Sequence, residues 1–398
     1  MIRIGYGKHG QVQTAVEQCR KALGPGAPHL LLAFCGGKHA PAEAMAAIRE
    51  NFGADVPVVG GSAAGAIART GLGYTGLEIA IAAFDDVETL PSLHVAHGMD
   101  SGEFEAGERL GQSIGTAASD GAVVLLFYDS VAAHEPLRLH NASTLLRGIN
   151  AGLAGKSVRL IGGGTLTNLN LSDGWVFDGT QACKHAAVAL VFPPSVVEET
   201  RILHGCRPVS TFMKITSIDE AEVFELDGEP ALQVIESKLG ISVGDGAGEA
   251  LSLIATLGEK HGDLYAPYDE NSYVNRLILR ADPNKGSITL FEEDFKLGST
   301  VQIMGRDNAL MLDSVRDGVA ALNERLPHLD PFLVLYIDCA GRGSVRSGAP
   351  VEEAQLVVDG LGGQTPMLGF YSGVEVAPVA GQSRPLDWTG VLTVLAIR

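Results

Sequence analysis

The feature that most constrains this chain is a pattern that occurs three times. Short apolar strands run into glycine in VPVVGGSAAGAI (56–67), VRLIGGGTLTNL (158–169) and TPMLGFYSGVEV (365–376), with Gly60, Gly162 and Gly369 at matching places. Ahead of each lies an apolar run, HLLLAFC (29–35), AVVLLFYD (122–129) and PFLVLYIDC (331–339), the signature of a strand buried on both faces. Helical segments connect the two: in APAEAMAAIRENFG, Ala44, Ala47, Ile48 and Phe52 fall near helical spacing and Gly53 is a stop. After each glycine turn comes a further β-rich run, LEIAIAAF, HAAVALVF or GVLTVLAI. Upstream, each copy opens with a strand and a helix, the strands being IRIGYG, LHVAHG and VQIMG. The order predicts a β-α-β-α-β-β unit at 1–88, 92–192 and 300–398. The fold class is then α/β, with repeated units forming mixed sheets covered by helices.

Residues 200–298 break the order, with three strands before the helix EPALQVIESKLG and three after it. This stretch reads as a divergent partner of the third unit. The chain then divides into two pseudo-equivalent halves, 1–220 with two units and 221–398 with the divergent stretch 221–298 and the third unit. A length of 398 residues suits such a division, since single cores stop growing near about 250–300 residues.

The formal net charge of −18 disfavours nucleic acid and anionic membranes as partners. No apolar run is long enough to insert in a membrane, and the opening MIRIGYGKHGQ lacks a leader pattern, so a cytoplasmic protein is expected. Five cysteines without a CxxC pair fit reduced thiols.

Chemistry is sparse. The literal GxGxxG at Gly71–Gly76 leads into a strand, where a dinucleotide loop must open a helix. Eleven histidines show no HxH or HExxH spacing, which disfavours a metal site. Cys35, Asp129 and Cys339 take the same place at the ends of the three buried strands, where α/β sheets gather ligands. No histidine sits at a suggestive offset from either thiol, so a buried inert cysteine is the ordinary reading and a thiol enzyme using Cys35 or Cys339 the alternative. His134 and His140 flank Leu137, Leu139 and Leu145 and could face a haem. In DENSYVNRLI, Arg276 stands alone among apolar neighbours and is a candidate to pair a carboxylate, in a ligand or in the protein. No catalytic motif is recognised.

The succession VVGGSAAG, IGGGT, ELDGEPALQVIESKLG, YVNRLIL, DC and GFYSG resembles the FIST family across about 30–220 for its N-terminal domain and 221–385 for its C-terminal one. The resemblance implies a small-ligand sensory protein whose ligand is amino-acid-like or another small metabolite, signalling to a separate partner such as a histidine kinase. Some stand-alone members resemble this chain in length and sense nitric oxide with haem, which would make haem b a cofactor and His140 or His134 its ligand. Where the family's first turn commonly reads GC[ST]xAGE, Gly61 replaces the Cys and Ala66 the Glu, and Glu375 stands one place later than the usual acid. On this reading Cys35, Gly60, Gly61, Ser62, Asp129 and Gly163 line a ligand cleft, with Tyr273, Arg276, Cys339, Tyr371 and Glu375 forming its C-terminal part. The cleft lies within one chain or between the chains of an oligomer.

Overall fold

The structure is a computed structural model that describes residues 2–135, 137–242, 251, 254–362 and 364–398. Each repeat supplies four strands of a six-stranded mixed sheet. In the first sheet these run in the order Ile2–Lys8, Glu78–Phe84, Leu30–Gly36 and Val58–Ala63. In the second they are Ser92–His97, Ala186–Val191, Ala122–Asp129 and Val158–Thr165. In the third they are Val196–Leu203, Gly390–Ile397, Asp330–Cys339 and Met367–Ser372. The last two strands of each set are parallel. A parallel pair needs a crossover, and the helices Pro41–Phe52, Ala142–Gly152 and Glu353–Gly360 provide it.

The remaining two strands of every sheet come from another repeat. Val176–Gly179 and Ala182–Cys183 of the second repeat complete the first sheet, and Glu375–Val379 and Gln382–Leu386 of the third complete the second. Ala66–Ala68 and Gly71–Gly73 of the first complete the third, so the exchange is cyclic. This is why the strands end in small residues. Gly61 pairs with Val176, and a Cβ on Gly61 would lie 2.1 Å from the Trp175 carbonyl oxygen. Gly163 pairs with Glu375, and a Cβ there would lie 3.0 Å from the Ser372 Cβ of the third repeat. The three repeats meet in aromatic contact, with Phe34 stacked on Phe370 at 4.0 Å between centroids and Phe127 edge-on to both.

The strand expected to open the third unit, VQIMG, lies elsewhere. Val196–Leu203 takes the edge beside Gly390–Ile397, while Thr300–Gly305 pairs with Met213–Asp219 and Ala255–Lys260. Together with Glu222–Leu226, Ser287–Leu290 and Tyr273–Asp282 these strands close a ring inserted between Val196–Leu203 and the helix Asn308–Arg325. Both candidates are strands shortly before a helix or a turn, and an apolar pattern identifies a strand without naming its neighbour. Among the described residues no helix is long and apolar enough to cross a membrane.

Candidate functional site

A cavity of about 220 Å³ opens where the third repeat's parallel strands end. Cys339, Ala340, Gly341 and Gly373 belong to that repeat, Leu169 and Leu171 come from the second, and Leu277, Leu279, Phe291 and Arg306 come from the inserted ring. Asp387 and Trp388, just beyond the strand Gln382–Leu386, complete the lining with Arg346. Trp388 holds a left-handed backbone, with φ of 53°. Its ring lies under the Arg306 guanidinium, 3.3 Å from ring centroid to carbon. Burial lowers the Arg306 pKa to about 10, which leaves it charged at neutral pH.

Asp387 is the cavity's acid. Its Oδ2 accepts from the Leu277 N–H at 3.2 Å, and Oδ1 lies 3.6 Å from Arg276 Nη1. Burial pushes its pKa up to about 6, with Arg276 opposing. Arg276 itself is fully buried and donates to both oxygens of Asp294, at 2.6 and 2.5 Å, and to the Pro385 carbonyl. The arginine singled out by sequence thus pairs carboxylates of the protein and supports the cavity through Asp387.

The other expected residues scatter over the seams between repeats. Glu375 pairs with Gly163 across one seam, and its carboxylate accepts from Ser372 Oγ at 2.5 Å. Burial holds the carboxyl of Glu375 well above the usual range, and its charge joins burial in raising the Cys339 thiol. Tyr371 Oη donates to Glu352 at 2.7 Å and Tyr273 Oη to Gln302 at 2.8 Å. Gly60 pairs with Phe177, and Ser62 accepts from the Trp175 N–H at 3.0 Å while its own N–H donates to the Trp175 carbonyl.

Cys35 and Cys339 are one residue out of step. Cys35 pairs with Ser62, two residues past Gly60, whereas Cys339 pairs with Ser372 and Asp129 with Thr165, each three past its glycine. A shift of one residue turns a side chain to the other face of the sheet. Cys35 accordingly packs with Cys19 and Phe177 in the helix-side cluster, while Cys339 faces the cavity. Burial raises the pKa of both thiols, the reverse of what a thiolate nucleophile needs.

Asp129 gathers histidines that no spacing rule links. His140 Nδ1 lies 2.8 Å from Glu103 Oε1, and His140 Nε2 lies 3.0 Å from His185 Nδ1. The Asp129 carboxylate accepts from the backbone N–H of Val131 and of His185. Neither expected haem ligand lines the cavity: His140 is buried with Nε2 facing His185, and the half-exposed His134 stands 3.6 Å from Asp173 on a two-stranded hairpin.

Arg306, Asp387 and Trp388 carry no motif and escaped the sequence reading. The one signal was Trp388 itself, one of only two tryptophans in the chain.

Models of the FIST N domain and the FIST C domain match residues 29–229 and 231–378. The chain belongs to the FIST family. FIST domains are generally small-ligand sensory domains of signal transduction. This FIST chain is 32% identical over 184 residues to the uncharacterized protein Mb0898c of Mycobacterium bovis, and 32% identical over 183 residues to Rv0628c of Mycobacterium tuberculosis. Each match covers 46% of both proteins, so the chain spans about half the length of the curated relatives it matches. A solved cyanuric acid hydrolase aligns over 100% of this chain and 99% of its own at 10% identity, with a TM-score of 0.32, too low to bear on fold or chemistry.

Proposed function

We propose that this FIST protein is a cytoplasmic sensor of a small, amino-acid-like molecule, held in the cavity at the ends of the third repeat's strands, which signals to a separate partner such as a histidine kinase. The observation that carries this reading is the meeting of opposite charges in an apolar pocket. Arg306 on Trp388 offers a cation for a carboxylate, Asp387 an anion for an ammonium group, and Leu169, Leu171, Leu277 and Phe291 a surface for an apolar side chain. The volume of about 220 Å³ suits a molecule of amino-acid size more than a drug-sized one. Five free cysteines suit a reducing compartment. Because the walls come from two repeats and the inserted ring, a bound ligand stabilises one arrangement of all three, which is the differential contact a sensor requires.

A thermal-shift screen of amino acids, amines and organic acids, followed by calorimetry on the hits, tests the reading. The expected hit is a zwitterion whose affinity falls at least about tenfold in both Arg306→Gln and Asp387→Asn, the loss of one charge-assisted contact each. A ligand that binds both variants as tightly as the native chain places its site elsewhere.

A further inference from the structure

We propose that Asp129, His140 and His185 form a binding site for a divalent transition-metal ion of the zinc class. One ligand atom from each residue lies within 4.8 Å of the other two. The nearest pair, His140 Nε2 and His185 Nδ1, is 3.0 Å apart, and Asp129 Oδ2 is 3.9 Å from His185 Nδ1. Ligands about 2.0–2.1 Å from a tetrahedral zinc stand about 3.3 Å from one another, so these separations bracket the edge of such a site. The set of two imidazoles and a carboxylate is borderline in softness, which suits zinc, cobalt or nickel more than calcium or magnesium.

The surroundings supply what a ligand set needs. Glu103 Oε1 faces the far nitrogen of His140 at 2.8 Å, the carboxylate–imidazole pairing that fixes a ligating histidine's tautomer and directs its other nitrogen at a metal. Asp129 is anchored by two backbone N–H groups, which fix the carboxylate and leave each oxygen a further lone pair. His185 needs only to carry its proton on Nε2 for Nδ1 to face the ion.

The placement within the repeat is a second, independent observation. Ala187 pairs with Tyr128 in the second repeat as Gly390 pairs with Asp338 in the third, so His185 and Trp388 hold the same place. Their backbones agree, at φ of 52° and 53°, a conformation that side-chain-bearing residues rarely adopt. Asp129 and Cys339 correspond in the same way. The cluster is thus the second repeat's counterpart of the third repeat's cavity, with metal ligands where the cavity has a tryptophan and a thiol.

The test uses the full chain stripped with a chelator, titrated with Zn²⁺ by calorimetry and with Co²⁺ by visible absorption. The expected result is a single equivalent at this site, with the intense d–d bands of tetrahedral cobalt. Binding falls by about 10–100-fold in Glu103→Gln. It is lost in His140→Gln and His185→Asn, asparagine being a residue that accepts the left-handed backbone at 185. It is unchanged in His97→Ala, which removes a ligand from the separate group of His97, Asp178 and Cys183. Circular dichroism confirms that the variants fold. No binding of either ion to the native chain, binding that survives His185→Asn in full, or binding abolished by His97→Ala overturns the proposal and leaves a hydrogen-bonded histidine pair.

Discussion

Arg276 shows how much a side chain's partner matters to its role. The guanidinium has no exposure and sits between Asp294 and Asp387, so Arg276→Ala leaves the buried Asp387 and the part-buried Asp294 without their cation. Removing one partner of a buried pair costs about 3–5 kcal/mol, and urea denaturation of Arg276→Ala is expected to show a loss of that size. A variant within about 1 kcal/mol of the native chain, the range of an exposed pair, contradicts the pairing. Cys339 is expected to behave differently: with its thiol raised by burial and by Glu375, it reacts slowly with iodoacetamide near neutral pH. Rapid labelling of Cys339 would revive the thiol chemistry that this environment opposes.

At the scale of elements, the seam between exchanged hairpins and glycine-ended strands is the part least tolerant of change. Gly61→Val places a branched side chain where even a Cβ is 2.1 Å from the Trp175 carbonyl, which must break the pairing of Val58–Gly61 with Val176–Gly179 or displace it. A loss of about 3 kcal/mol is expected by chemical denaturation, at the top of the range for overpacked sites. Gly10→Val, where a Cβ meets nothing within 4 Å, serves as the tolerant control. The strands, crossover helices and glycine turns were legible because buried parallel strands are continuous apolar runs and helices repeat at 3.6 residues. The exchange was not legible, since Ala66–Ala68 and Gly71–Gly73 are too short to carry a pattern and nothing local names a partner 300 residues away. For the same reason Cys339 was found as a strand end, but Arg306, Asp387 and Trp388 were missed. They converge only once the inserted ring is folded against the third repeat.

For the molecule as a whole, cyclic exchange ties the fates of all three repeats together. The halves 1–220 and 221–398, produced separately, are expected to lack stable cores, because the second sheet needs Glu375–Val379 and the third needs Ala66–Ala68. Two soluble halves with native-like circular dichroism would contradict that expectation. Acidity acts globally too. Burial raises Glu292 from 4.5 to about 7 and Asp387 from 3.8 to about 6, and it raises Glu375 and Asp338 further. In the window from about 4 to 7 the folded state therefore binds protons that the unfolded chain has released, and stability falls as pH rises. His204, pushed down to about 4 by burial, and His94, also lowered by burial, work the other way below about 6.5, but the raised carboxyls, Asp129 and Glu293 among them, outnumber these two histidines. Thermal denaturation should accordingly show a higher midpoint near about pH 5.5 than near about pH 8, and the reverse order would contradict the balance.

The central claim, that Asp387 receives the cationic group of a small zwitterion, is tested most directly by the pH dependence of affinity for the best ligand of the screen. With Asp387 titrating at about 6, the native chain should bind with constant affinity above that value and lose close to tenfold per unit below about pH 5.5. Asp387→Asn should bind weakly at every pH, without that inflection. An affinity that ignores both the pH and the substitution would contradict the claim and put the sensory site outside this cavity.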